Sequence, residues 1–110
     1  MAQYYDSKDL DRFAEIGNHR KELSDKFFDW YGAVMEKGAL SKREKSLIAL
    51  AVAHAVQCPY CIDAYAQGCL EAGSSMDEIT EAIHVAGAIK AGACLIHGVQ
   101  AINSVNKVMM

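Results

Sequence analysis

Residues 40–61 read LSKREKSLIALAVAHAVQCPYC, and this stretch decides the fold. Ser41 and Glu44 stand three apart ahead of an apolar run, the spacing of a capping box in which each side chain satisfies the other's backbone N–H. The run from Leu47 to Val56 is apolar nearly all round, which marks a central helix enclosed by others. It leads into Cys58-Pro59-Tyr60-Cys61. Proline suits the first helical position, so a new helix opens at Pro59 with Cys58 beside its N-terminus. Unpaired backbone N–H groups and the positive end of the helix dipole favour thiolate there. A free thiol of pKa about 8.5 falls to roughly 3.5–7.5 in such settings. The second thiol lies about one turn away and can close a disulfide. Taken alone, a CxxC pair can be half a zinc site, a redox dithiol, or two buried thiols that merely pack.

Outward from this centre, everything reads as helix, and strand-like alternation is absent. Lys8 to Ile16 forms a first amphipathic segment, ended by Gly17-Asn18. Glu22 to Lys37 follows, with Leu23, Phe27, Trp30, Tyr31 and Val34 at helical spacing and Gly38 as its stop. The helix from Pro59 stops near Gly73. Ser75 and Glu78 form a second capping box, starting a long segment that breaks or bends around Gly92 and ends near Asn106. Its residues are small as well as apolar, Ala86, Gly87, Ala91, Gly92 and Gly98 among them, so helix axes can approach closely there. The expectation is one domain spanning residues 1–110, a compact all-α bundle of about six helices, with this last segment at a subunit interface.

The chain has 110 residues, a formal net charge of −3 and 52% apolar residues. No basic stripe exists to neutralise phosphates, which argues against nucleic acid. Met1 to Asp6 shows no secretory pattern. The apolar stretch from Ala82 to Ile102 is interrupted by His84, Lys90 and His97, which argues against a membrane span. The cytoplasm is therefore expected, and there four cysteines are not a disulfide framework.

The whole of Leu40–Cys61 closely resembles the core of the carboxymuconolactone decarboxylase superfamily, and in particular its alkyl hydroperoxidase D branch. The shared pattern is a capped helix opening with L-[ST]-x-R-E, here Leu40 to Glu44, an alanine-rich run, and CxxC leading the next helix. Asp77 to Ile83 and the Gly/Ala-rich helix after it also fit, so the resemblance covers about residues 36–105. Within the superfamily the chain looks most like small members linked to arsenosugar biosynthesis. The resemblance implies a homotrimer or homohexamer that reduces hydroperoxides with its dithiol and is recharged by an external, thioredoxin-like dithiol donor, with no cofactor. It assigns peroxide attack to Cys61 and resolution to Cys58, whereas the helix-terminus argument favours Cys58 as the activated thiol. The chain departs from the branch at two places. Tyr65 stands where the branch has a histidine, and Ser46 where it has a glutamate, so its proton relay is missing.

Substitutes for the relay are available. His54 precedes Cys58 by four residues and is a candidate proton acceptor, unless it bonds a backbone carbonyl in the core. Tyr65 can hydrogen-bond a thiolate or a peroxide oxygen. Glu44 is a relay candidate as well as a capping residue, and His84 could face the site from another helix. Asp63 and His19 read as solvent-facing. Cys69 and Cys94 read as core cysteines. Cys94 and His97 could instead join Cys58 and Cys61 in a Cys₃His zinc site, although the capped apolar helices supply a core without metal. The alternatives to a hydroperoxide reductase are a sensing or soft-ligand module, for which a trivalent arsenical suits a vicinal dithiol, and a lyase of the decarboxylase branch, whose chemistry does not need CxxC.

Overall fold

The computed structural model describes residues 5–110. As expected, the described chain is all-helical. A 3₁₀ segment, Ser7–Asn18, comes first, and five α-helices follow: α1 Lys21–Met35, α2 Lys42–Ala55, α3 Pro59–Glu71, α4 Met76–Ile96 and α5 Gly98–Met109. Both capping boxes form, at Ser41/Glu44 and at Ser75/Glu78, and Pro59 occupies the first turn of α3. The final break falls at His97 rather than near Gly92. His97 keeps near-helical angles (φ −66°, ψ −17°), so α5 continues α4 with little change of direction. Small residues near Gly92 tolerate the helix because nothing crowds them: a Cβ added at Gly92 would meet no atom within 4 Å.

α2 is the hub, packed against α3 on one side and α4 on another. α3 folds back antiparallel, which brings Ser46 opposite Gly68. α4 runs parallel to α2: an ion pair joins Arg43 to Glu78 at their starts, and Lys90 Nζ donates to the Ala55 carbonyl at 3.1 Å at the end of α2. Leu50, Cys69 and Ile79 meet between the three helices, with Leu47, Tyr65 and Ile83 around them. The 3₁₀ segment packs on α1 through Phe13, whose ring lies 4.9 Å from Phe28 and 6.0 Å from Phe27. Lys45 of α2 ties α1 in place by donating to the Val34 carbonyl at 2.6 Å, a cation at the negative end of the α1 dipole.

Compactness holds for this centre and not for the whole chain. The radius of gyration is 18.9 Å, against about 13 Å for a compact chain of this length. The reason is a mismatch of lengths. α2 ends at Ala55 beside Lys90, while the α4–α5 rod continues to Met109 with no described element packed closely alongside it. Cys94 lies on this overhang and is exposed, which corrects its expected place in the core; Cys69 is fully buried as expected. By length and composition the stretch Met76–Met109 is apolar enough to cross a membrane.

Candidate active site

Three residues, Val56, Gln57 and Cys58, connect α2 to α3. The Cys58 N–H donates to the Ala53 carbonyl at 3.0 Å and the Gln57 N–H to the His54 carbonyl at 3.3 Å. These are the paired bonds of a Schellman motif, with Gln57 between them in the left-handed region at φ 57°. The same pair closes α3, from Ser74 to Cys69 at 2.9 Å and from Gly73 to Leu70 at 3.0 Å, around Gly73 at φ 90°. The first turn leaves Cys58 extended (φ −105°, ψ 102°) as the N-cap of α3, where its Sγ accepts the Cys61 N–H at 3.3 Å. A sulfur thus does what a serine or aspartate oxygen does at most caps.

The two thiols are thereby made unequal. The Cys61 pKa is pushed up to about 11, chiefly by burial, then by its hydrogen bond to Cys58 and by charge on Cys58. Cys61 therefore holds its proton at neutral pH. Two apolar cavities open onto the pair. One, of about 610 Å³, runs between α1, α2 and α3 past Val34, Ile48 and Val52 to Cys61 and Tyr65. The other, of about 470 Å³, lies under the 3₁₀ segment, is walled by Leu10, Phe13 and Tyr60, and reaches both sulfurs. Tyr31 lines both.

Of the expected site residues, Cys58 and Cys61 share a cap and one cavity, and Tyr65 lines the other cavity with Cys61. Burial raises the Tyr65 pKa, so its hydroxyl stays a donor. His54 does not join them. Its Nδ1 lies 2.9 Å from the Leu50 carbonyl, and the ring faces a separate cavity of about 430 Å³ with Tyr5 and Asp63, lined by neither sulfur. Glu44 is spent on its cap, accepting the Ser41 N–H at 2.9 Å, and those bonds hold its carboxyl below the ordinary carboxylate range. It stands at the far end of α2, roughly 20 Å from Cys58 at 1.5 Å per residue. Ser46 is taken up between α2 and α3, 3.9 Å from the Cβ position of Gly68. His84 and His97 are exposed, and His97 Nδ1 lies 2.6 Å from the Ala93 carbonyl of its own helix. Cys94 and His97 sit on the overhang, apart from the dithiol, and among the described residues no three potential ligands gather for a metal.

The sequence reading missed a clamp over the start of α3. The Tyr5 hydroxyl hydrogen-bonds the Asp63 carboxylate, and the Tyr5 ring stands edge-on to Tyr60 with centroids 4.7 Å apart. That bond, more than any other cause, raises the Tyr5 pKa to about 12. Asp63 is therefore engaged rather than merely solvated. No local pattern links positions so far apart in the chain, so no sequence signal could have paired them.

The chain is similar to known proteins in both sequence and fold. The sequence pattern of the Carboxymuconolactone decarboxylase family matches residues 21–103. The chain belongs to that family. Among members of the carboxymuconolactone decarboxylase family and other relatives, a curated protein from Paracoccus denitrificans, described as "Uncharacterized protein 4 in cox locus", is 42% identical over 80 residues, covering 73% of this chain and 72% of its own. A crystal structure of a Methanobacterium thermoautotrophicum protein superposes with a TM-score of 0.71 at 37% identity, over 82% of this chain and 97% of that one. A carboxymuconolactone decarboxylase family protein from Legionella pneumophila superposes with a TM-score of 0.69 at 29% identity, over 92% and 91% of the two chains.

Proposed function

We propose that this member of the family is a thiol-dependent hydroperoxide reductase of the alkyl hydroperoxidase D type, whose Cys58–Cys61 dithiol cycles through a disulfide in the cytoplasm. The observation that carries this is the cap geometry: Cys58 Sγ accepts the Cys61 N–H at the N-terminus of α3, with a second, protonated thiol one turn away. Both sulfurs open onto apolar cavities suited to an organic peroxide. The cap and the high pKa of Cys61 favour Cys58 as the nucleophile, the reverse of the order that the family resemblance assigns.

In this scheme the Cys58 thiolate attacks the outer peroxide oxygen and the O–O bond breaks. The products are a Cys58 sulfenic acid and an alkoxide, which takes a proton to leave as the alcohol. Tyr65, which lines one cavity with Cys61, is the candidate donor to that oxygen. The Cys61 thiol then condenses with the sulfenic acid, releasing water and forming the disulfide. An external dithiol donor supplies two electrons and two protons to restore both thiols. A second reading, a slow-turnover module holding a soft ligand such as a trivalent arsenical, is favoured because His54 lines a separate cavity and Glu44 is taken up in its cap.

Peroxide consumption with a dithiol donor, followed by intact mass, tests the scheme. Wild type should consume peroxide and lose two hydrogens on oxidation. Cys58→Ser should abolish turnover, and Cys61→Ser should halt at a sulfenic acid trapped by dimedone. Unchanged consumption in both variants would overturn the redox reading; tight arsenical binding without turnover would select the second.

A further inference from the structure

We propose that the 3₁₀ segment is a strap latched over the dithiol by the hydrogen bond between Tyr5 and Asp63, and that these two residues thereby decide which thiols reach Cys58. With the latch closed, a small peroxide fits beneath the strap. A protein dithiol donor reaches the disulfide only when the latch opens. The donor half rests on the redox cycle proposed above; the latch itself does not. The strap is long for its kind and loosely held. Ser7–Asn18 makes 12 residues of 3₁₀ helix, where runs beyond about 3–4 are uncommon because the hydrogen bonds align poorly. None of its residues is buried, and Phe13 and Ile16 stay 41% and 57% exposed. A segment with so little buried apolar surface opens at small cost.

Its fastenings are few and sit at known places. Gly17 fits closely against Ser24 of α1, whose Oγ would stand 2.9 Å from an added Cβ, so the turn over residues 17–20 is the hinge. Midway, Phe13 rests on Phe27 and Phe28 of α1. At the far end Tyr5 fastens to α3: its hydroxyl bonds Asp63, and its ring stands edge-on to Tyr60, inside the CPYC motif. Beneath lies the cavity of about 470 Å³, walled by Leu10 and Phe13 of the strap and lined by both cysteines. The larger cavity is lined by Cys61 but not by Cys58. A space of this size suits a compact ligand. Thiol–disulfide exchange is more demanding, because the incoming thiolate must meet a disulfide sulfur directly and its rate depends on access. In the exchange a donor thiolate attacks Cys58 Sγ, the bond to Cys61 breaks, and Cys61 leaves and takes up a proton. The donor's second thiolate then attacks the mixed disulfide and frees Cys58. The donor ends as a disulfide, and its two electrons and two protons end on the pair. A thiol carried on a folded protein makes that approach only with the strap moved aside.

The test uses the full chain carrying Cys94→Ser, which removes the exposed thiol outside the site. Tyr5→Phe keeps the ring against Tyr60 and loses the hydroxyl; Asp63→Ala loses the acceptor; the double variant loses both, and circular dichroism checks all three for helicity. Labelling of Cys58, read by peptide mass, compares iodoacetamide with a polyethylene-glycol maleimide. Each latch variant should speed the bulky reagent by about tenfold, the weight of one hydrogen bond to a charged group, and the small reagent less than twofold. The double variant should be no faster than the faster single one, since all three remove the same bond. Reduction of the diamide-oxidised protein by thioredoxin should gain the same factor, and reduction by dithiothreitol should stay unchanged. Bulky labelling that ignores the latch, an equal rise for both reagents, additive effects in the double variant, or thioredoxin reduction insensitive to the latch would each overturn the proposal. No labelling readout involves peroxide turnover, so the redox reading can fail while the latch stands.

Discussion

Cys61 sits one turn inside α3 with its pKa pushed up to about 11 by burial and by Cys58, while Cys58 serves as the helix cap. Because the folded value lies above the unfolded one of about 8.5, the folded protein holds that proton more tightly. The associated stability is present below the unfolded value and is lost as pH rises through the folded one. A urea-denaturation series across that window should therefore show a steeper loss in wild type than in Cys61→Ser. Equal slopes would mean that Cys61 is not held protonated by the fold. The position of Cys58 was legible, since Pro59 announces a helix start. The inequality of the thiols was only half legible: the dipole argument named Cys58, but the walls that bury Cys61 come from α1 and α2. His54 shows the limit most plainly. A spacing of four placed it one turn from Cys58, yet its ring turns to the Leu50 carbonyl and the Tyr5 side.

At the scale of elements, two turns of the same hydrogen-bond design separate α2 from α3 and α3 from α4, one built on Gln57 and the other on Gly73. A side chain in the left-handed region costs about 1–2 kcal/mol. Gln57→Gly is thus expected to stabilise by about 0.5 kcal/mol, the relief being partly offset by glycine's extra freedom when unfolded, and Gly73→Ala to destabilise by about 1 kcal/mol. Denaturant midpoints of the two variants should move in opposite directions; movement the same way would contradict the turn ahead of the dithiol. Helix starts were readable because serine, glutamate and proline act locally, through bonds to their own turn. The α2 stop was less so, since glutamine in the left-handed position carries no signature. The long last helix was expected to break at Gly92, but glycine only permits a break, and here no neighbouring atom calls for one.

For the whole molecule, the described buried apolar residues are few, Leu50, Ala53, Cys69 and Ile79, while large side chains such as Trp30, Ile89, Leu95 and Ile102 stay mostly in solvent. So small a core rarely supplies the full stability of a domain. Association should therefore contribute, and mass action then makes the thermal midpoint depend on concentration. A midpoint rising over a hundredfold concentration range is expected; an invariant one would show the single chain to be self-sufficient. The stripe of small residues in α4 permits a close neighbour, but a sequence cannot tell a helix buried at home from one buried abroad. Composition is the same in both cases, and only the shortness of α2 beside the α4–α5 rod separates them. Lys90 stands where that difference begins, bonded to the Ala55 carbonyl three residues ahead of Cys58. It is placed as a fulcrum: a tilt of the rod would bear first on the end of α2, so the turn that carries the dithiol would feel whether the far end of its own chain is held.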